Sequence, residues 1–214
     1  MTVSLFDLDY TLLEGDTEWL WGEFLAEKGL VSSHFLRDMT NFFCMYENGD
    51  LDIYTYQKYL LQPIKSLNAQ TFLTLQNEFC QNIGRLFRSD MLDRLEWHRS
   101  RGHIIILISA TSQLLVEPIS HLLPVDDIIC TRVETINHLP TGQITGIPAY
   151  REGKVQNLLH WLEKNSLTLE GSWAYSDSIN DIPLLELVEN SVAVTPDAAL
   201  RKYAMLKGWR IMDL

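Results

Sequence analysis

A short, apolar, β-prone run, Thr2-Val3-Ser4-Leu5-Phe6, leads directly into Asp7-Leu8-Asp9-Tyr10-Thr11-Leu12. In an open α/β sheet, ligands bind beyond the carboxyl ends of the strands. Two carboxylates held there one residue apart repel each other. A divalent cation or a phosphoryl group would account for the arrangement. The alternative is that Asp7 and Asp9 cap a turn, since aspartate is common where strands end.

The rest of the chain indicates the sheet to which such a strand would belong. His103-Ile104-Ile105-Ile106-Leu107-Ile108 is a near-continuous branched run, as expected of a parallel strand covered on both faces. Further strands are expected over Asp127 to Thr131, Ser172 to Ser176, Val192 to Thr195 and Trp209 to Met212. Helices are expected between them: about Asp90 to Arg99, Gln113 to Leu122, Lys154 to Lys164, and from near Asp181 and Asp197. This alternation predicts a doubly wound parallel sheet. A turn-rich stretch at Pro140-Thr141-Gly142 suggests a small hairpin.

Residues 15–85 contain no good strand. Helix starts are marked by Asp16 or Thr17, Ser32 or Ser33, Asp50 and Asn68, and stops by Gly29, Gly49, Pro63 and Gly84. These helices are rich in aromatics and predict a helical insertion packed on itself. The expected organisation is a core of residues 1–14 and 86–214, with residues 15–85 as a cap.

The chain has 214 residues, enough for one ample domain with an insertion. Its 17 basic and 28 acidic residues leave a net charge of −11, which argues against nucleic acid or an anionic membrane as partner. An anionic substrate would need local positive charge from a metal, a lysine or helix N-termini. No apolar run is long enough to span a bilayer, and no basic-then-apolar leader is visible. Cys44, Cys80 and Cys130 lack any C-x-x-C spacing and read as reduced, mostly buried thiols of a cytoplasmic protein. The six histidines lack ligand spacing, so zinc is not expected.

Other expected strand ends also carry polar groups suited to phosphate chemistry. Ser109-Ala110-Thr111 offers hydroxyl donors beside a helix N-terminus, where Thr111 or Ser112 would also serve as cap. Lys154 opens a helix, a position that the helix dipole disfavours for a cation and that a facing anion would explain. Tyr175-Ser176-Asp177-Ser178-Ile179-Asn180-Asp181 places two more carboxylates just past a buried strand. Hard oxygen ligands of this kind suit Mg²⁺, which retains waters and accepts a substrate phosphate oxygen. Asp181 would alternatively cap a helix.

Taken in order, Asp7-Leu8-Asp9-Tyr10-Thr11, Ser109, Lys154 and Asp177-Ser178-Ile179-Asn180-Asp181 resemble the four motifs of the haloacid dehalogenase superfamily. The helical insertion and the closing Tyr175 to Leu185 stretch resemble its phosphoserine phosphatase-like subfamily IB. The resemblance implies a Rossmann-like core and a Mg²⁺-dependent phosphomonoesterase. Asp7 would be the nucleophile that forms an aspartyl-phosphate, and Asp9 the general acid and base. Thr11, Ser109, Ala110 and Lys154 would surround the phosphoryl group. The metal would be held by Asp7, the Asp9 carbonyl and Asp177, with Asp181 in support. Two departures stand out: Tyr10 where many relatives carry glycine, and Ala110 where phosphoserine phosphatases tend to have it.

Asp16 aligns with a substrate-binding glutamate of phosphoserine phosphatases and would hold a substrate amine, or else only cap its helix. No arginine matches the one that grips the carboxylate of phosphoserine. Relatives most similar at Glu14-Gly15-Asp16 and Leu20-Trp21-Gly22-Glu23-Phe24 are often assigned as histidinol-phosphate phosphatases. The expected partner is thus a small phosphorylated metabolite such as histidinol phosphate. The alternatives are a phosphoserine phosphatase, a phosphotransferase, a lipid-phosphate hydrolase and a non-catalytic, receiver-like phosphate-binding regulator. Oligomeric state is left open.

Overall fold

The computed structural model describes residues 1–214. Strand β1 (Val3–Phe6) is followed by four helices, α1 (Thr17–Glu27), α2 (Ser33–Asn48), α3 (Ile53–Leu60) and α4 (Ala69–Ile83). Then come α5 (Ser89–Arg99), β2 (Ile104–Ser112), α6 (Gln113–Ser120) and β3 (Asp127–Thr131). A hairpin of β4 (Val133–Ile136) and β5 (Leu139–Ile144) precedes α7 (Glu152–Asn165), β6 (Trp173–Ser176) and the short α8 (Ile182–Leu185). The chain ends with β7 (Asn190–Val194), α9 (Ala198–Lys207) and β8 (Arg210–Met212).

Six strands form one parallel sheet in the order β3-β2-β1-β6-β7-β8, so the doubly wound expectation holds. The chain leaves β1 toward β2 and β3, then returns to build the other half outward from β6. The switch point therefore lies between β1 and β6, and it opens a crevice at their carboxyl ends. Val3, Leu5, Ile106, Ile108 and Ala174 point to one face of the sheet and pack with Leu158, Leu184 and Leu200 from the covering helices. Phe6, Ile105, Leu107 and Tyr175 point to the other face. There the apolar cluster continues through Met91, Leu95 and Val116 into Trp21, Leu25 and Phe79 of the first helices. The helices after β1 are thus packed on one another and also on the sheet layer beneath them.

The structure bears out the small hairpin and the mostly buried thiols, and it lengthens one expected strand. The hairpin turns at Asn137-His138, both with positive φ (51° and 66°), and Pro140 lies within β5. Asparagine adopts left-handed geometry readily, and a two-residue loop of this kind matches the twist of the flanking strands. Proline is tolerated because β5 is an edge strand. Strand β2 does not stop at Ile108 but runs to Ser112, with an irregularity in its pairing to β3 between Ser109 and Ser112. Of the cysteines, Cys80 and Cys130 are buried, whereas Cys44 is exposed.

Candidate active site

Asp7 is the first residue past β1, and its N–H donates to the Tyr175 carbonyl at 3.0 Å, which ties it to β6. Asp177 follows β6, so the sheet itself sets these two carboxylates side by side. The chain after Asp7 makes a tight helical turn over Leu8–Leu12, in which Tyr10 takes a left-handed φ of 52°. Glycine would adopt that conformation without strain. The turn carries Asp9 back toward the N-terminus of α1, where Oδ1 accepts from the Thr17 N–H at 2.6 Å. Its Oδ2 accepts from the Thr111 hydroxyl at 2.7 Å. Burial raises the Asp9 pKa, and the donors Thr17 and Thr111 oppose that rise.

Lys154 lies in the first turn of α7, fully enclosed, with its ammonium 2.8 Å from Asp7 Oδ1 and 2.7 Å from Asp181 Oδ2. Asp181 Oδ2 also accepts from the Ser176 hydroxyl at 2.7 Å. Burial alone would favour the neutral amine, but Asp181 and Asp7 outweigh it and raise the Lys154 pKa. The anions that explain a lysine at this helix start are therefore these two aspartates. The lysine reaches them because Gly153 lets the helix approach Pro148: a Cβ at residue 153 would sit 2.0 Å from the Pro148 carbonyl oxygen.

A cavity of about 410 Å³ opens beside these groups. Asp7, Asp9, Asp177, Ser109 and Ala110 line its floor, and Asp16, Glu18, Phe42, Phe43, Tyr46 and Tyr56 of α1–α3 and its cap line the rest of the wall with others. Seven carboxylates (Asp7, Asp9, Asp16, Glu18, Glu47, Asp177 and Asp197) face it, and no lysine or arginine does. Thr11, Lys154 and Asp181 stand behind the wall. The Thr11 hydroxyl donates to Asp177 Oδ1 at 3.2 Å rather than pointing into the cavity.

Asp16 has both features that the sequence left as alternatives. Its Oδ1 caps α1 by accepting from Trp19 N–H at 2.8 Å, and the residue also lines the cavity. Burial, then Asp9 and Glu18, push its pKa well above the usual carboxylate range. Thr111 is not a helix cap; Ser112 takes that place by accepting from Leu114 N–H.

Sequence reasoning missed Glu18, the aromatic wall and the bond from Thr111 to Asp9. A signal for Glu18 was present: it heads the apolar stripe of α1, in register with Trp21 and Leu25, where a charged residue is out of pattern. Tyr46, near the end of α2, reaches across the mouth. Its hydroxyl lies 3.3 Å from Ser178 Oγ, and its carbonyl accepts from Asn180 Nδ2 at 2.9 Å.

Only one ammonium compensates the aspartates at the strand ends. Burial, then Asp7 and Asp181, push the Asp177 pKa well above its ordinary value. Burial raises Asp7 as well, partly opposed by Lys154. Asp7 and Asp177 both face the cavity, and neither Oδ2 accepts a hydrogen bond. No three carboxylates converge into a closed cage. This donor set fits Mg²⁺, which is bound through one or two carboxylates and keeps waters or substrate phosphate in its remaining positions.

A family model described as haloacid dehalogenase-like hydrolase matches residues 4–186. The chain belongs to that family. It is 35% identical over 217 residues to a histidinol-phosphatase of Neisseria meningitidis serogroup C, covering 99% of this chain and 98% of that protein. It is 27% identical to a phosphoserine phosphatase of Mycobacterium tuberculosis, covering 98% of this chain and 70% of that one. Among solved structures, a Bordetella pertussis Tohama I protein of unknown function superposes with a TM-score of 0.90 at 31% identity, covering 100% of this chain and 99% of that one. A substrate-bound phosphoserine phosphatase shares the fold, with a TM-score of 0.74 at 16% identity, over 99% of this chain and 92% of the other. This haloacid dehalogenase-like chain is thus a phosphatase, a hydrolase of phosphomonoesters. No helix in it is long and apolar enough to cross a membrane.

Proposed function

We propose that the chain is a Mg²⁺-dependent phosphatase of a small cytoplasmic amino-alcohol phosphate, histidinol phosphate or a similar ester, acting through an aspartyl-phosphate. The observation that carries this reading is the cavity itself. It joins the Asp7 end of the switch point to Asp16 and Glu18, with no basic side chain on its lining. An amine on the leaving alcohol suits such a wall. A carboxylate, as in phosphoserine, would meet repulsion without a partner.

In this reading a carboxylate oxygen of Asp7 attacks phosphorus in line, and the P–O bond to the alcohol breaks. Asp9 gives its proton to the departing alkoxide. It then takes a proton from the water that attacks phosphorus and frees phosphate, regenerating Asp7. Burial, which raises the Asp9 pKa, helps it carry that proton. Lys154 fixes the Asp7 side chain and offsets part of the local negative charge, while Ser109 and backbone N–H groups near Ala110 receive phosphoryl oxygens. Asp7 and Asp177 would hold Mg²⁺, with the Asp9 carbonyl contributing and Asp181 acting through Lys154. When bound, the metal would neutralise charge on the transferring group. Helices α1–α4 serve as the cap that excludes water, with Tyr46 closing against Ser178 and Asn180.

The test is turnover of a panel of phosphomonoesters by purified protein, with Mg²⁺ and after chelation. Release of phosphate from amino-alcohol esters, lost on chelation, is expected. Full activity after exhaustive chelation would remove the metal from the reading, and inactivity on every ester would remove the reading.

A further inference from the structure

Glu18 has more charge than its structural contacts require. It is 5% exposed and lines the cavity. Its Oε1 accepts from Gln57 Nε2 on α3 at 2.7 Å and from the Ser112 N–H at the end of β2 at 3.0 Å. That pin between the helices and the sheet needs only a carbonyl oxygen, which a glutamine would supply. A buried carboxylate costs several kcal/mol unless a cation or further donors meet it. A third neighbour is the Tyr56 phenol, itself buried and on the cavity wall, which hydrogen-bonds to Glu18; its pKa is pushed well above the usual range by burial and then by Glu18 and Asp16. Phe42 and Phe43 complete an aromatic lining, which suits a flat or cationic group. This end of the cavity therefore presents two carboxylates, Asp16 and Glu18, against aromatic faces.

Building on the phosphatase reading above, we propose that Glu18, backed by Tyr56, is a second specificity-determining carboxylate. Asp16 takes the amine of the leaving alcohol. Glu18 accepts an N–H from a second nitrogen carried on a flat ring of the same alcohol. The substrate class is the phosphate ester of an amino alcohol with a ring nitrogen, and amino-acid phosphates bearing a carboxylate are rejected.

The test compares kcat/KM for four probes with Mg²⁺: histidinol phosphate (amine and ring nitrogen), O-phosphoethanolamine (amine alone), O-phosphoserine (amine and carboxylate) and p-nitrophenyl phosphate. Wild-type protein should prefer them in the order histidinol phosphate, phosphoethanolamine, phosphoserine. Glu18→Gln should lower the ratio of histidinol phosphate to phosphoethanolamine by about tenfold or more, chiefly through KM, as expected for a lost hydrogen bond to a charged group. Asp16→Asn should lower both amine substrates relative to p-nitrophenyl phosphate. Tyr56→Phe, which keeps the ring and every backbone contact, should shift the first ratio in the same direction and decides the matter if Glu18→Gln does not fold. An equal fall on all four probes, or an unchanged first ratio, would make Glu18 a structural pin and overturn the inference. So would equal use of phosphoserine, while leaving the phosphatase reading intact. Absence of turnover on p-nitrophenyl phosphate and every other probe would instead overturn both.

Discussion

The Thr111 hydroxyl donates to Asp9 Oδ2 across 2.7 Å, joining residues 102 positions apart in the chain. A hydroxyl both donates and accepts, so it can serve the carboxylate and, after rotation, the protonated acid. Asp9 is thereby held in one place, with Thr17 N–H fixing the other oxygen, as the proposed proton shuttle would require.

Thr111→Val keeps the shape and removes that rotor. The expected result is a fall in kcat of about tenfold or more for alkyl phosphates. Asp9→Asn, which removes the shuttle, should cost about 10² to 10⁴-fold. Single-turnover phosphorylation with p-nitrophenyl phosphate should suffer less in both variants, because nitrophenolate leaves without a proton. Equal losses on the two kinds of ester would count against the shuttle.

Asp7→Asn should abolish turnover and leave the protein folded, since Lys154 keeps its 2.7 Å contact to Asp181. Binding of Mg²⁺ should raise the melting temperature of the wild type, because a ligand bound only to the folded state stabilises it. The rise should be smaller in Asp7→Asn, which loses a charged donor. Detectable steady turnover in this variant would end Asp7's claim to be the nucleophile.

The parts of the fold and site that were legible in the sequence depend on short stretches of chain. The branched run at Ile104–Ile108, bounded by Gly102, reads as a covered strand, and Asp7 and Asp177 each come directly after a short β-prone segment. Lys154 was legible as an oddity of local electrostatics, though its partners were not. What escaped depends on distant contacts. Glu18 meets Ser112 across 94 positions, and Thr11 turns to Asp177 across 166. No local pattern encodes those pairings. The hairpin was legible from the turn-rich composition around Pro140 and Gly142, whereas its turning residues Asn137-His138 were not, because Pro and Gly are the stronger turn signals by composition.

Gly153→Ala tests how Lys154 is delivered. The added methyl would lie 2.0 Å from the Pro148 carbonyl oxygen, a backbone atom that cannot swing aside. The start of α7 must then move, at a cost of about 1–3 kcal/mol for such overpacking. Urea melts should report the lost stability. Turnover should fall as well, since Lys154 is the next residue and its ammonium meets both Asp7 and Asp181. Full activity in a destabilised variant would mean that the lysine tolerates displacement.

The pH dependence of stability isolates the burial of Glu18. Burial raises its pKa from 4.5 to about 7, with the bonds from Gln57 and Ser112 opposing the rise. Between those values the folded protein keeps a proton that the unfolded chain has released. The folded state therefore binds more protons, and stability falls as pH rises through the window. Below it both states are protonated and Glu18 contributes no slope; above it the whole penalty is present. Glu18→Gln removes this share, which is on the order of 3 kcal/mol for a shift of that size. In magnesium-free urea melts, the variant should gain on the wild type steadily from pH 5 to pH 7 and by little more at pH 8. The other buried carboxylates titrate in both proteins, so their contributions cancel in the difference except where Asp16 and Asp9 interact with Glu18 directly. A difference that does not change with pH would show that Glu18 is ionised throughout, its charge already met within the folded protein.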